Sequence, residues 1–270
     1  MQKALEAYVK RGHHGVGGWL EGFSPDFIMQ LCQIQSENGI KGGIAEIGVH
    51  HGRLFILMSL ATADDELGLA IDLYDDQHLN TDSSGRGDEA IFRRNMVKNG
   101  ADLERTIVFK KNSLEIRPDE VVSRIGNPRL FSVDGGHTEE CAYSDLRLAE
   151  GCLAEKGVII LDDFFNWFWP GVAAGTMKYL LEGGAFRPFA LTNNKMYLCR
   201  AEFAGWYTER LRTSFPAHIF DKTVEVAGDP VSMFGYHDTF LSPISRLKRR
   251  FSHTETFKRI RGRVKATSAS

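Results

Sequence analysis

From Gly42 to Arg200, short unbroken apolar runs alternate with longer stretches in which apolar residues recur every three or four positions. The short runs lie at residues 44–47, 67–71, 106–109, 130–133 and 158–161. Runs that brief and apolar throughout predict strands buried on both faces, and their alternation with amphipathic helices predicts a parallel sheet covered by helices. The clearest unit is residues 130–165. A strand there ends on Asp134, and Thr138 caps a helix whose first turn holds Glu139 and Glu140. Ala142, Leu146, Ala149 and Leu153 give that helix one apolar face, Gly157 stops it, and a second strand ends on Asp162-Asp163. A strand–helix–strand unit forces a parallel pair with a right-handed crossover, so both strands finish at the same sheet edge. A helix starting at Pro170 and running to Leu181 follows. Residues 186–191 and 196–199, around a Thr-Asn-Asn-Lys turn, then predict an antiparallel hairpin.

Three segments are expected: a helical extension over 1–41, a main domain over 42–204 and a C-terminal extension over 205–270. In the first, Ala4, Leu5, Tyr8 and Val9 predict a short amphipathic helix, and Ser24-Pro25 predicts a second, with Ser24 as its cap. Gly18-Trp19-Leu20 either covers a ligand or packs on the core, the commoner fate of such a Trp. Residues 72–88 form a polar loop of the length used for functional lids, or a plain surface insertion, before a helix over 89–98. Residues 246–265 are strongly basic, which suits a solvated tail or a contact with an anionic membrane surface or polyanion.

With 33 basic against 35 acidic residues, no general polyanion affinity follows and no nucleic-acid partner is expected. Cys32, Cys141, Cys152 and Cys199 lack metal-ligand spacing and read as reduced thiols. The sequence shows neither a secretory signal nor an apolar run long enough to cross a bilayer, so a cytoplasmic protein is expected.

Chemistry concentrates at the predicted strand ends. Asp134, His137, Asp162 and Asp163 converge if the last two parallel strands are neighbours. Three carboxylates that close repel unless a cation or shared protons compensate, and their oxygens suit a hard divalent ion such as Mg²⁺. The plainer reading is that Asp162-Asp163 merely starts a turn. At the first strand, Glu46-x-Gly48-x-x-x-Gly52 lets backbone approach a ligand where strand hands over to helix; it is not the G-x-G-x-x-G of dinucleotide enzymes. Asp72 ends the next strand, about twenty residues on, where an acid can bind ribose hydroxyls. Asn112 and Ser113 end the third, in reach of an adenine. The aromatics Phe164, Phe165, Trp167, Phe168 and Trp169 could stack on a sugar; core packing is expected to take at least half of them.

These motifs resemble class I S-adenosylmethionine-dependent methyltransferases. Ala-Glu-Ile-Gly-Val-His-His-Gly and Ile-Asp-Leu-Tyr-Asp carry the general likeness. The sharper elements are Val-Asp-Gly-Gly-His (133–137), Leu-Asp-Asp-Phe (161–164) and Trp-Pro-Gly-Val (169–172). These are similar to metal-dependent sugar O-methyltransferases of macrolide and aminocoumarin biosynthesis and to related bacterial polysaccharide enzymes. The resemblance implies an α/β, Rossmann-like fold with a mostly parallel seven-stranded sheet and a C-terminal β-hairpin. It implies S-adenosylmethionine bound by Glu46, Gly48, Gly52, Asp72, Ser113 and Asp134, and Mg²⁺ or another hard divalent cation on Asp134, Asp162 and Asp163. His137, with Asp134, would be catalytic, His137 matching the general base of some members. The acceptor would be a sugar or glycan hydroxyl, or a catechol-like diol. A metal-dependent hydrolase, a non-catalytic cofactor-binding module and a homo-oligomer stay open.

Overall fold

A computed structural model describes residues 2–20, 22–216 and 219–235; the basic stretch 246–265 lies outside the described residues. Its strands are β1 (Ile44–Ile47), β2 (Gly68–Asp72), β3 (Thr106–Lys110), β4 (Leu130–Val133), β5 (Val158–Leu161), β6 (Phe186–Leu191), β7 (Met196–Arg200), β8 (Phe220–Val226) and β9 (Asp229–Phe234). They form one sheet in the order β3-β2-β1-β4-β5-β7-β6-β9-β8. Strands β1 to β5 are parallel, and β7 runs antiparallel to both β5 and β6.

The described sheet therefore has nine strands where seven are expected. Strand β6 would end the sheet with a row of unpaired backbone groups, and β9 covers that edge by pairing parallel to it, with β8 returning antiparallel. The sequence of this hairpin mixes Lys222, Glu225 and Pro230 among its apolar residues. Edge strands with one wet face lose the continuous apolar signal of buried ones.

The helices are α1 (Gln2–Lys10), α2 (Ser24–Glu37), α3 (Arg53–Leu60), α4 (Glu89–Lys98), α5 (Pro118–Ile125), α6 (Glu139–Cys152), α7 (Pro170–Leu181) and α8 (Ala201–Ser214). Alternation along the strands divides the core between two faces. Ile44, Ala70, Leu130 and Ile160 pack with α1 to α4 and α8, whereas Ala45, Leu69, Phe131 and Ile159 pack with α5 to α7. Each such Ile or Leu, fully buried, contributes roughly 1.5–3 kcal/mol. All four cysteines are buried and free, and no described helix is long and apolar enough to cross a membrane.

Two tethers fix how the N-terminal helices sit. Ser24 is not the cap expected of it: α2 already includes it, and its hydroxyl bonds Thr192 Oγ1 at 2.8 Å. The Phe23 amide donates to Asn193 Oδ1 at 2.9 Å. Helix α2 is thus fastened to the β6–β7 turn. At the opposite sheet edge, the buried Arg129 guanidinium meets Glu66 through Nε and Nη2 at 3.0 and 3.1 Å, and donates to Gln35 Oε1 at 2.8 Å. Gln35 donates back to the Arg129 carbonyl at 3.1 Å, tying α2 to β4. Breaking a buried pair strands the partner's charge, so Arg129→Ala is expected to cost about 3–5 kcal/mol in urea denaturation. Exposed Arg93→Ala should cost under about 1 kcal/mol.

Candidate functional site

One row of paired residues sets the site. Phe109, Ile71, Ile47, Val133 and Leu161 stand side by side across β3, β2, β1, β4 and β5. The next residue in each strand direction emerges at the same edge, giving Lys110, Asp72, Gly48, Asp134 and Asp162. Chain order reverses between β1 and β4, the switch point at which open α/β sheets bind ligands. A cleft of about 800 Å³ opens there, lined by Glu46, Gly48, Asp72, Ser113, Asp134, His137, Asp162 and Asp163 among others.

Gly48 is obligatory. Its φ is +82°, and a Cβ would lie 1.6 Å from the Asp134 carbonyl oxygen. Gly52 does not line the cleft: it caps α3 at φ +90°, where a Cβ would meet the Phe92 ring at 2.6 Å. Its part is to turn the chain into α3. Asp72 accepts the His50 and Tyr74 amides, both at 2.6 Å, which fixes its carboxylate at the cleft wall. Each oxygen keeps a further lone pair. Glu46 lies behind Gly48, buried, and its Oε2 has no partner. Burial first, and then the nearby Asp162 and Asp72, push its carboxyl well above the usual range, while Lys195 opposes them. A buried carboxyl group with one oxygen left without a partner at a cleft suits an ammonium or other cationic group on a ligand, which would favour its charged form.

The second half of the cleft holds a linked acid–imidazole cluster. Asp163 sits at φ +60° after β5, and its Oδ2 lies 3.0 Å from His137 Nε2. Its Oδ1 accepts Asn166 Nδ2 at 2.9 Å and also Asn194 Nδ2. On the other side of the ring, Asp82 Oδ2 lies 2.9 Å from His137 Nδ1 and accepts the His137 amide at 2.6 Å. The imidazole also stacks on Trp169, 4.3 Å away and tilted by 24°. Burial lowers the His137 pKa, but the hydrogen bonds to Asp163 and Asp82 more than offset that and carry it to about 9. Asp82 is itself desolvated, yet its bonds from Ser84 and His137 hold it down at about 2.

Asp134, His137 and Asp163 offer ligand atoms all within 4.8 Å of one another. Two carboxylates and one imidazole make a donor set fit for a divalent cation. Asp162, the third expected ligand, is engaged instead by the buried ammonium of Lys195, which also feels Asp134. Desolvation and the neighbouring Asp162 raise Asp134 well above the usual carboxyl range. The structure thus gathers Asp134, Asp163 and His137 and pairs Asp162 elsewhere.

Asp82 and Lys195 were not singled out in the sequence. Asp82 belongs to the polar loop 72–88, whose length and whose family-like stretch 80–88 mark it without giving any of its residues a role; Lys195 lies in the hairpin turn and arrives because Met196 pairs with Leu161. Other expectations are corrected at the rim. Trp19 is 68 % exposed and lines the cleft, so it does not pack on the core. Phe165, Trp167 and Phe168 are 51, 84 and 64 % exposed, so core packing does not claim half of that aromatic run.

Residues 45–164 match the family model described as "Methyltransferase domain". No curated protein matches significantly in sequence. Among solved structures, the O-methyltransferase NovP is 18% identical, covering 65% of this chain and 78% of its own at a TM-score of 0.53. An O-methyltransferase from Bacillus cereus, solved with SAH, is 14% identical over 73% of this chain and 91% of its own, at 0.52. A putative O-methyltransferase from Klebsiella pneumoniae is 16% identical over 72% and 88%, at 0.50. At such identities the likeness is one of fold, and it agrees with the resemblance carried by the sequence motifs.

The His137 shift has a pH signature. Its folded pKa lies above the ordinary 6.5, so the folded protein binds this proton more tightly than the unfolded chain. That stabilisation is complete below pH ~6.5, declines as pH rises, and is gone above about 9. In chelator, the urea midpoint is expected to fall across this window, and His137→Gln to flatten the fall.

Proposed function

We propose that this protein is an S-adenosylmethionine-dependent O-methyltransferase acting on a sugar or glycan hydroxyl with the help of a divalent cation, Mg²⁺ being the best match to its oxygen donors. One observation carries the reading. A single cleft at the switch point joins a buried Glu46, whose Oε2 has no partner, beside the Gly48 turn to the Asp134–His137–Asp163 cluster.

Glu46 would take the ammonium of the methionine moiety, the Gly48 backbone would lie against it, and Asp72 and Ser113 would meet ribose and adenine. Gly52 would act indirectly, by starting α3. When bound, S-adenosylmethionine supplies the methyl group and a sulfonium leaving group. Asp134 and Asp163 would hold the cation, which when bound polarises an acceptor hydroxyl. Asp162 stays with Lys195 in this arrangement, as a fixed pair beneath the cluster.

The hydroxyl proton must leave as the O–C bond forms and the C–S bond breaks. His137 is held by Asp82 at Nδ1 and directs Nε2 to Asp163 and the cleft. With both carboxylates in place the ring is an imidazolium at neutral pH. Were Asp163 committed to a cation, the ring would release its Nε2 proton to solvent and, neutral with its remaining proton on Nδ1 toward Asp82, could take the hydroxyl proton at Nε2, the Asp82 carboxylate then stabilising the imidazolium that re-forms. Chain residues do the remaining work of alignment and exclusion of water.

Calorimetry should give micromolar affinity for S-adenosylhomocysteine and none for NAD, with Glu46→Gln at least ten-fold weaker for the former. Failure of a folded sample to bind would overturn the reading. With radiolabelled methyl donor and a panel of glycosides and catechols, Asp163→Asn should lose transfer while keeping cofactor affinity, as should wild type in chelator. Asp82→Asn should lower kcat roughly 10- to 100-fold with little change in KM, and Asp82→Glu should recover part of it.

A further inference from the structure

Exposed apolar side chains are not scattered over this protein. Of the eight large hydrophobic residues exposed among the described ones, six line the cleft: Trp19, Leu79, Leu114, Phe165, Trp167 and Phe168, leaving only Val97 and Leu181 outside. Single exposed apolar residues need no explanation, but a contiguous group around a cleft marks a binding surface.

The rings are ordered. Trp167 lies 4.9 Å from Phe168, Phe168 lies 5.7 Å from Trp169, and Trp169 lies 4.3 Å from His137. An unbroken series of four rings therefore runs from solvent to the imidazole in the acid cluster. Its backbone is fixed where it passes the cluster. Asn166 donates to Asp163 Oδ1 at 2.9 Å, accepts the Phe168 amide at 3.0 Å, and its carbonyl accepts the Trp169 amide at 3.0 Å. The series is thus preorganised beside the atoms that would handle the acceptor hydroxyl.

Charge decides what can lie on it. Arg53 is bound to the His13 and Gly18 carbonyls, Lys111 lies 3.4 Å from Glu120, and Lys195 is paired with Asp162. These are the lysines and arginines that line the cleft, and each is engaged within the protein. A phosphate or carboxylate lying over the exposed rings would find no lining lysine or arginine without a partner inside the protein, while the His137 imidazole and a bound cation would sit among the acids of the cluster. Uncharged polar side chains also line the cleft, among them Asn80, Thr81 and Asn193. Aromatic faces interleaved with amides and hydroxyls suit the alternating apolar and hydroxyl surfaces of a neutral sugar.

We propose that the ring series from Trp167 to Trp169 is an acceptor subsite for an uncharged oligosaccharide of at least two sugar rings, with the hydroxyl to be methylated seated by His137. The inference rests on the methyltransferase reading above and narrows its acceptor. Nucleotide-diphosphate sugars, acidic glycans and lone monosaccharides are expected to be poorer acceptors: the first two because their charge gains no unengaged lysine or arginine at the rings, the last because one ring leaves most of the series bare.

The test is retention of the fluorescently labelled full-length protein, saturated with S-adenosylhomocysteine and Mg²⁺, on an array of glycans. The array carries uncharged mono-, di- and trisaccharides, their uronic-acid analogues and immobilised nucleotide-diphosphate sugars. Retention is expected on uncharged di- and trisaccharides at least ten-fold above the monosaccharides. It should fall ten-fold or more in Trp167→Ala/Phe168→Ala, with S-adenosylhomocysteine affinity within two-fold of wild type. Preference for charged or nucleotide-linked sugars, equal retention of monosaccharides, absence of retention, or an unaffected double variant would each overturn the proposal. So would binding to phosphatidylcholine or phosphatidylglycerol vesicles that the double variant loses, which would make the rings a membrane-contact surface. Calorimetry on the same sample separates the two levels. Loss of cofactor binding refutes the methyltransferase reading, whereas the array reports the subsite without any methyl transfer.

Discussion

Register across the parallel sheet is the constraint on which the site depends. Because Ile71, Ile47, Val133 and Leu161 are paired in one row, the residues that follow them must emerge together, whatever their side chains prefer. That places Asp72, Gly48, Asp134 and Asp162 along one edge. A slip of one residue would turn each strand's side chains to the other face and bury the wrong set. The hydrophobic core therefore enforces an alignment of polar groups that repel one another. The Gly48 contact with the Asp134 carbonyl shows how tightly it is held: no side chain fits there.

Placing so many carboxylates together needs compensation, and the antiparallel strand supplies it. Strand β7 enters the edge where β5 leaves, since Met196 pairs with Leu161, so the residue before it reaches Asp162. Burial opposes the charge on Lys195, and Asp162 and Asp134 more than make up for it. His137 supplies a second positive group, set between Asp82 and Asp163. The arrangement is a divided cluster, with one acid neutralised internally and two left to share an imidazole or a cation.

The remaining walls come from segments distant in sequence. Loop 72–88 reaches across with Asp82, the N-terminal extension brings Trp19 over His50 at 5.6 Å, and the 163–169 connection lays its rings at the mouth. Asn193 and Thr192 tie α2 to the same hairpin turn that carries Asn194 and Lys195. The N-terminal helices are thus structurally continuous with the site, and the hairpin of β8 and β9 belongs to the same sheet.

Much of this was legible in the chain because its signals are local. Apolar runs bounded by Gly and Asp mark buried strands, Thr138 marks a helix start, and a strand–helix–strand unit admits one handedness, so strands β1 to β7 and the convergence of Asp134, Asp162 and Asp163 follow from sequence. The capping role given to Ser24 failed because a hydroxyl that can bond its own helix can equally bond Thr192, and only packing chooses. The burial given to Trp19, Phe165, Trp167 and Phe168 failed for a related reason: aromatic character is the same in a core and at a cleft mouth. Asp82, Lys195 and the outer hairpin were out of reach because each acquires its meaning from a partner 30 or more residues away. Sequence by itself determined that strands β1 to β7 form and which of their ends carry acids, since those depend on the near neighbours of each residue. Only the tertiary structure decided which acid is neutralised, which flanks the imidazole and which rings stay in water, since those depend on side chains that meet only when the sheet closes.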